Sequence, residues 1–216
     1  MSKVNLAQLT FDQIDELLQT PLPESARQHR SWWNNDYTTN RQSLAWLNAG
    51  WQVEDVDFTA GTVTFHQVLA VLQQLYFADL LERLKAAKPG LTRATKAQLQ
   101  NWWSFSGGRS GFGFAWVFAS GGFLRVELYI DTGDRAVNKR AFNLLSEQKE
   151  EIEKQIGVPL EWDLLPTKRA CRISISQPGT VNDPPEVMEK TKSWALMSMI
   201  RLVDTFQPRI KELALD

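Results

Sequence analysis

The chain has 216 residues, of which 43% are hydrophobic and 23% charged, and its formal net charge is −1. These values are typical of a globular protein, and they exclude both a disordered chain and a strongly basic one that binds any polyanion. A single cysteine cannot form an intramolecular disulfide, and every apolar run is shorter than the roughly 18 residues of a membrane-spanning helix. We therefore expect a cytoplasmic protein that makes no contact with a membrane.

Charged residues are unevenly distributed along the chain. Residues 1–69 contain 4 Lys and Arg against 8 Asp and Glu (net −4), whereas residues 70–216 contain 20 against 17 (net +3). Such a change in composition favours two separate units. We expect a first unit over residues 1–66 and a second over residues 67–216.

Three short helices and a β-hairpin are predicted for the first unit. Thr10 can cap the first helix, Pro23 suits the first turn of the second, and Gly50 ends the third. β-branched and aromatic residues then flank a turn, which is typical of a hairpin. The predicted ranges are helices 11–18, 24–33 and 41–49 and strands 51–58 and 62–66.

This order of elements makes the first unit winged-helix-like. In a winged helix-turn-helix the third helix enters the major groove of DNA, and here it would begin with Arg41, Gln42 and Ser43. Arg and Gln side chains are suited to reading guanine and adenine edges. The net charge of −4 over residues 1–69, however, gives little affinity for phosphate groups. The alternative is a winged-helix-like module for protein interaction or dimerisation.

Tryptophans are dense in the first unit. Trp32, Trp33 and Trp51 can form an aromatic pocket, which would stack a base or hold a cation. A unit this small also needs large side chains to build a core. Core packing is therefore the alternative for all three residues.

The second unit is predicted to be a mainly antiparallel sheet with helices packed on one face, so that the whole chain is of the α+β class. Glycine-rich turns separate three strand-like runs, and helical periodicity appears before and after them. Asp183 is a candidate cap for the last helix. The predicted elements are a connecting helix 67–87, strands 101–105, 111–118 and 123–130, a long helix 135–156, short and long strands 160–162 and 169–175, and a last helix from about residue 185.

The strand 123–130 alternates between apolar and mixed side chains. Arg125, Glu127 and Tyr129 are expected on a polar, partly aromatic face, to which Arg172 of a later strand can add. The alternative is a solvated face on which Arg125 and Glu127 pair with each other. Further positive charge that could bind an anion is expected at Arg109, Lys139, Arg140, Lys168 and Arg169.

Several segments resemble known bacterial families. RVELYI at 125–130, LEW at 160–162 and KRACRI at 168–173 resemble a family of unknown function that spans about residues 75–210 here and is sometimes found C-terminal to predicted restriction-type nuclease domains. SAR at 25–27, WWN at 32–34, AWL at 45–47 and AGW at 49–51 resemble a small bacterial Trp-rich module that is appended to varied proteins. The first resemblance implies a genomic neighbourhood of DNA-targeting or defence systems. It implies no reaction.

Catalytic motifs are sparse. Two histidines and one cysteine are too few for the usual Cys/His zinc sites, and no Walker A sequence or nucleophile elbow occurs. A metal-dependent nuclease needs clustered carboxylates near a lysine, and Glu127, Asp131 and Lys139 are the best candidates, with Mg²⁺ as the cofactor. We expect no cofactor otherwise.

The sequence therefore favours a non-catalytic binding or regulatory protein whose partner is DNA or RNA. One alternative is the metal-dependent nuclease with its carboxylates near Glu127. A second alternative is an interaction or dimerisation protein that binds a partner protein or forms an oligomer.

Overall fold

The structure, a computed structural model, describes residues 6–36 and 42–215. The chain divides into two compact units, residues 1–72 and 73–216. The sequence prediction placed the boundary between residues 66 and 67. Both units combine helices with an antiparallel sheet, so the predicted α+β class is confirmed. None of the helices in the described ranges is long and apolar enough to cross a membrane.

The first unit contains helices followed by a hairpin, in the predicted order, together with a strand that was not predicted. This strand, Leu6–Thr10, pairs with the second hairpin strand, with Leu6 opposite His66 and Thr10 opposite Thr62. The elements are β1 Leu6–Thr10, α1 Phe11–Leu18, α2 Glu24–Gln28, a 3₁₀ turn Arg30–Trp33, α3 Ser43–Leu47, β2 Trp51–Asp57 and β3 Thr62–Gln67. The sheet order is β1-β3-β2.

Helix α1 begins as the sequence predicts. The Thr10 hydroxyl accepts a hydrogen bond from the Gln13 backbone N–H, and the Gln13 side chain accepts one from the Thr10 N–H. This reciprocal pair satisfies two backbone donors that would otherwise lack partners. Phe11 and Ile14 of α1 then enter the core of the unit.

The predicted single helix over 24–33 is wrong. It ends at Gln28, because His29 is extended, and a 3₁₀ turn follows. The turn directs Trp33 into the core, where its indole N–H donates to the Ala26 carbonyl at 2.7 Å. The gain from burying and hydrogen-bonding this large side chain outweighs the loss of helical hydrogen bonds at His29.

The second unit is a five-stranded sheet with the order β4-β5-β6-β8-β7, and its helices pack on one face. Every neighbouring pair of strands is antiparallel. Alternate side chains of the two central strands, from Phe112 to Phe118 and from Leu124 to Ile130, form the core beneath the helices. The elements are α4 Leu69–Ala87, which begins before the boundary of the units, β4 Trp102–Ser106, β5 Phe112–Ala119, β6 Phe123–Ile130, α5 Arg135–Ser146, α6 Lys149–Ile156, β7 Glu161–Asp163, β8 Cys171–Pro178 and α7 Pro185–Glu212.

Two helix predictions in this unit are wrong. The predicted helix 135–156 is two helices, α5 and α6, and near the break the Ser146 hydroxyl donates to the Phe142 carbonyl and competes with the helical bond. Asp183 does not cap α7. Its carboxylate instead accepts hydrogen bonds at 2.8 Å from both the backbone N–H and the hydroxyl of Thr180.

Candidate functional site

The face of the second sheet that is opposite its helices, which we call the open face, carries the mixed side chains predicted from the sequence. Phe123, Arg125, Glu127 and Tyr129 alternate with the fully buried residues of β6. The strand register places three rows across this face. They are Trp102–Val117–Arg125–Ser176, Ser104–Ala115–Glu127–Ser174–Glu161 and Ser106–Gly113–Tyr129–Arg172–Asp163.

A cavity of about 390 Å³ lies across these rows. Its floor is low because β5 presents only Gly113 and Ala115 at its centre, whereas Trp102 and Tyr129 stand at its ends. These two aromatic residues are exposed, at 42% and 36% respectively. The cavity is lined by Trp102, Ser104, Gly113, Ala115, Val117, Glu127 and Tyr129.

The Glu127 carboxylate lies in the middle row of the cavity and is only 6% exposed. Its Oε2 accepts a hydrogen bond of 2.6 Å from Arg125 Nε, so the predicted pairing of these residues is present. No donor among the described residues is hydrogen-bonded to Oε1. Oε1 retains contact with solvent at the cavity, so its acceptor site is open to a ligand.

Arg172 balances the charge on this part of the open face. Its Nη2 donates to Asp163 at 2.7 Å, and its Nε lies 3.9 Å from Glu127 Oε2. That Nε is buried and makes no hydrogen bond with the described residues. The charges of Arg125, Arg172, Glu127 and Asp163 sum to zero. The site is therefore polar, but these four residues carry no excess positive charge that would attract an anion.

Tyr129 remains a neutral phenol at physiological pH. Partial burial raises its pKa above the ordinary value, and the nearby Asp131 and Glu127 carboxylates act in the same direction. Its ring is therefore available at the cavity wall as an uncharged stacking surface with a hydroxyl donor.

Arg109 lines a second cavity, of about 470 Å³, that shares Ser104, Gly113 and Tyr129 with the first, and its guanidinium is held by the last helix of the unit. Its Nη1 donates to the Leu213 carbonyl at 2.6 Å and to the Ile210 carbonyl at 3.4 Å. These carbonyls lie at the C-terminal end of α7, where positive charge is favourable. Arg109 therefore stabilises the C-terminal end of α7.

The residues proposed for a nuclease site are not brought together. Asp131 follows Glu127 by four residues along an extended strand, a separation of about 13 Å at the usual strand rise. Asp131 is bound by Arg169 through bonds of 2.7 and 2.8 Å, and this contact lowers its pKa. Lys139 Nζ donates to the carbonyls of Leu164, Leu165 and Ala170, the last at 2.8 Å. Within the part of the chain that the structure describes, no group of three His, Cys, Asp or Glu residues could hold a metal ion.

The other predicted positive charges are scattered. Arg140, Lys168 and Arg169 are all exposed, and Arg169 pairs with Asp131. None of these three side chains lines the cavity. They add to the charge of the unit without forming a patch around the site.

Two of the three residues proposed to begin a recognition helix lie in the described ranges. The Gln42 side chain donates to the Trp32 carbonyl at 3.3 Å. Ser43 is fully buried, and its hydroxyl donates to the Asp36 carbonyl. Arg41 lies outside the described residues. Ser43 therefore contributes to the packing of the first unit.

The predicted aromatic pocket is mainly a core. Trp33 is 1% exposed, and Trp32 and Trp46 pack against it with ring centroids at 4.6 and 5.7 Å. Trp51 lines a separate apolar cavity of about 280 Å³ with Ala7, Leu9, Trp46 and Phe65. Among the described residues, Trp51 is the one of the three predicted pocket tryptophans that lines this apolar cavity.

Sequence reasoning missed the part of the site that comes from β4 and β5. Trp102, Ser104, Gly113 and Ala115 line the cavity but were assigned only to strands. The signal was present in the alternation of GFGFAWVFA at 111–119, in which small residues occupy one face and aromatic residues the other. A run of small residues facing outward indicates a depression in a sheet.

Comparisons with known proteins confirm the two resemblances expected from the sequence. Residues 2–68 match the domain of unknown function DUF7662, and residues 72–210 match the domain of unknown function DUF4268. A search of curated proteins and a search of solved structures each found no match. The DUF4268 match covers more than half of the chain, and the chain therefore belongs to the DUF4268 family.

Proposed function

We propose that this is a cytoplasmic, non-catalytic binding protein whose open face recognises nucleic acid through unstacked bases. The observation that carries the proposal is the cavity that is lined together by the buried Glu127 and by the exposed rings of Trp102 and Tyr129. Sheets that bind single strands use exposed aromatic side chains as platforms for bases, because every base has a flat face.

The two aromatic residues suit successive bases. Trp102 and Tyr129 are separated by two strand spacings and by two rows of the register, so a single base cannot stack fully on both side chains. A base beside Tyr129 faces Glu127 with its edge, and Trp102 offers a platform to a neighbouring base. Duplex DNA hides these faces, so a single strand is the preferred ligand.

Electrostatics favour base contacts over phosphate contacts. The nearest charged groups cancel, and Arg109 and Arg169 are occupied by partners within the protein. A protein that neutralises many phosphates shows a steep loss of affinity with salt. We expect a shallow salt dependence here, which corresponds to about one or two phosphate contacts.

The test is fluorescence anisotropy with labelled single-stranded DNA, single-stranded RNA and duplex DNA, over a salt series and with and without Mg²⁺. Tyr129→Ala should weaken single-strand binding roughly tenfold, because stacking contributes about 1–3 kcal/mol per base. Phe123→Ala is the matched control, since Phe123 is an exposed aromatic residue on the same strand and face but outside the cavity. Equal affinities of the two variants, or no binding by the wild type, would contradict the proposal.

The nuclease alternative predicts Mg²⁺-dependent cleavage that Glu127→Ala abolishes. The separation of Glu127 from Asp131 and the engagement of Lys139 argue against it, since a two-metal site holds its ions about 4 Å apart. Cleavage by the wild type in the presence of Mg²⁺ would reverse this preference. Absence of any nucleic-acid binding at low salt would instead favour a partner protein or self-association.

For the first unit we propose a separate role as a winged-helix-like adaptor. Its element order of helices followed by a hairpin supports this proposal, and the additional strand β1 pairs with β3 as a third strand of the sheet. If it reads duplex DNA, replacing Arg41 and Gln42 with alanine should abolish sequence preference and leave the fold intact. Unchanged duplex binding by that double variant would leave protein interaction as its role.

A further inference from the structure

We infer that the cavity of the open face selects a base with an exocyclic amino group, as in cytosine, adenine and guanine, over uracil and thymine. This inference rests on the proposed function and specifies which ligand the site prefers. It follows from the state of the Glu127 carboxylate, which is an acceptor without a second donor at the centre of an otherwise uncharged cavity wall.

Glu127 demands a donor from its ligand. An ionised carboxylate can only accept hydrogen bonds, and among the described residues the single hydrogen bond to this one reaches Oε2. A ligand that presents an N–H to Oε1 replaces water there with a direct hydrogen bond to a charged acceptor, and such bonds are stronger than bonds between neutral groups. A ligand that presents a carbonyl oxygen there places two acceptors against each other.

The shape and charge of the cavity limit the donor to a flat, neutral one. The floor at Gly113 and Ala115 and the Tyr129 ring leave a slot that suits a planar ring. An organic cation also carries N–H donors, but it would meet Arg125 and Arg172 on either side of the carboxylate. An uncharged heteroaromatic ring with an amino group satisfies Glu127 without that repulsion.

Uracil and thymine offer one N–H for pairing, at N3, and it lies between two carbonyl oxygens, so a carboxylate that accepts from it also meets neighbouring acceptors. Cytosine and adenine present amino groups on the edges at which thymine and uracil present carbonyl oxygens, and guanine carries an amino group at another position. Cytosine and uracil have nearly the same size and stacking surface. Their comparison therefore isolates the contact to Glu127.

The experiment compares the affinities of single-stranded oligodeoxycytidine and oligodeoxyuridine of equal length. The wild type should prefer the cytidine oligomer about tenfold, which is the discrimination expected of one good contact to a base edge. Glu127→Gln should lower this ratio to about one or below, because the new amide can donate to the uracil carbonyl. Glu161→Gln is the matched control, since Glu161 lies in the same row of the face but outside the cavity, and it should keep the wild-type ratio.

Two further arms identify the source of the base. Ribocytidine and ribouridine oligomers test whether RNA is bound with the same preference, and dCMP and dUMP test whether a free nucleotide suffices. A preference for cytosine in any of these arms supports the inference. The wild-type ratio needs no variant, so the test stands even if Glu127→Gln fails to fold, which circular dichroism would reveal.

The outcomes separate this inference from the proposed function. No binding of any oligomer or nucleotide overturns both. Binding that Tyr129→Ala weakens, with equal affinities for cytosine and uracil oligomers, overturns the amino-group preference and leaves the base-binding function standing. A tenfold ratio that Glu127→Gln leaves unchanged shows that another residue reads the base and overturns the role assigned to Glu127.

Discussion

Replacing Gly113 with alanine is expected to make the second unit more stable while it shrinks the cavity. Gly113 is the second residue of β5 and has no positive φ, and an added Cβ would meet its nearest neighbour, the Phe105 carbonyl oxygen, at 3.6 Å. That distance is an ordinary van der Waals contact. A glycine-to-alanine change at a compatible position stabilises a protein by about 0.4–1 kcal/mol, because it restricts the unfolded chain.

The assay is thermal and urea unfolding of the full chain. For a chain of this size an increase of about 0.5–1 kcal/mol corresponds to a rise of roughly 1–4 °C in Tm. Gly111→Ala is the matched control, because Gly111 has a φ of +83° and an added Cβ would lie 2.5 Å from Thr132 Cα. It should destabilise by at least about 2 kcal/mol.

Binding should move in the opposite direction from stability. The new methyl group in Gly113→Ala occupies the cavity floor, so affinity for single strands should fall although Tm rises. A general folding defect cannot produce this combination. If the variant loses stability, the contact at Phe105 has been misjudged, and if it binds as tightly as the wild type, the ligand does not enter the cavity.

Two other predictions concern the stability of the second unit. Trp116→Phe should destabilise it by roughly 2 kcal/mol, because the smaller ring leaves a void at a fully buried position and the indole hydrogen bond of 3.1 Å to the Ala195 carbonyl is lost. Urea unfolding within about 0.5 kcal/mol of the wild type would be inconsistent with this role. Acid should destabilise the wild type below about pH 4 more steeply than it destabilises Asp131→Asn, because Arg169 holds the pKa of Asp131 below its usual value. A carboxylate with a lowered pKa stabilises the fold at higher pH, and this stabilisation is lost as the pH falls through the folded-state pKa. Parallel pH profiles of the two proteins in urea unfolding would refute this prediction.

Local patterns predicted the elements whose cause is local. The alternation on β6 correctly separated Leu124, Val126 and Leu128 from Arg125 and Glu127, because successive side chains of a strand point to opposite faces. The cap at the start of α1 was equally visible, since it depends on residues three positions apart. The helix breaks were not visible, because they arise from Trp33 entering a core and from a side-chain bond at Ser146 that competes with the helix.

Strand β1 shows the limit of this reasoning. Its five residues, Leu6–Thr10, are too few for a strong pattern, and their partner lies at Thr62–Gln67. Nothing near them in the sequence marks the pairing. A strand of this kind is specified by the edge that it covers rather than by its own propensity.

The site illustrates why a count of charged residues misleads about ligands. Arg109, Lys139 and Arg169 were natural candidates for phosphate contacts, but each is consumed by a carbonyl or a carboxylate of the same unit. Glu127 was correctly placed on the open face, yet its burial could not be foreseen, because it depends on the rows of residues on neighbouring strands. Because these cations are engaged and an acceptor lies in the cavity, we propose that this face contacts the donor edge of a base rather than a phosphate backbone.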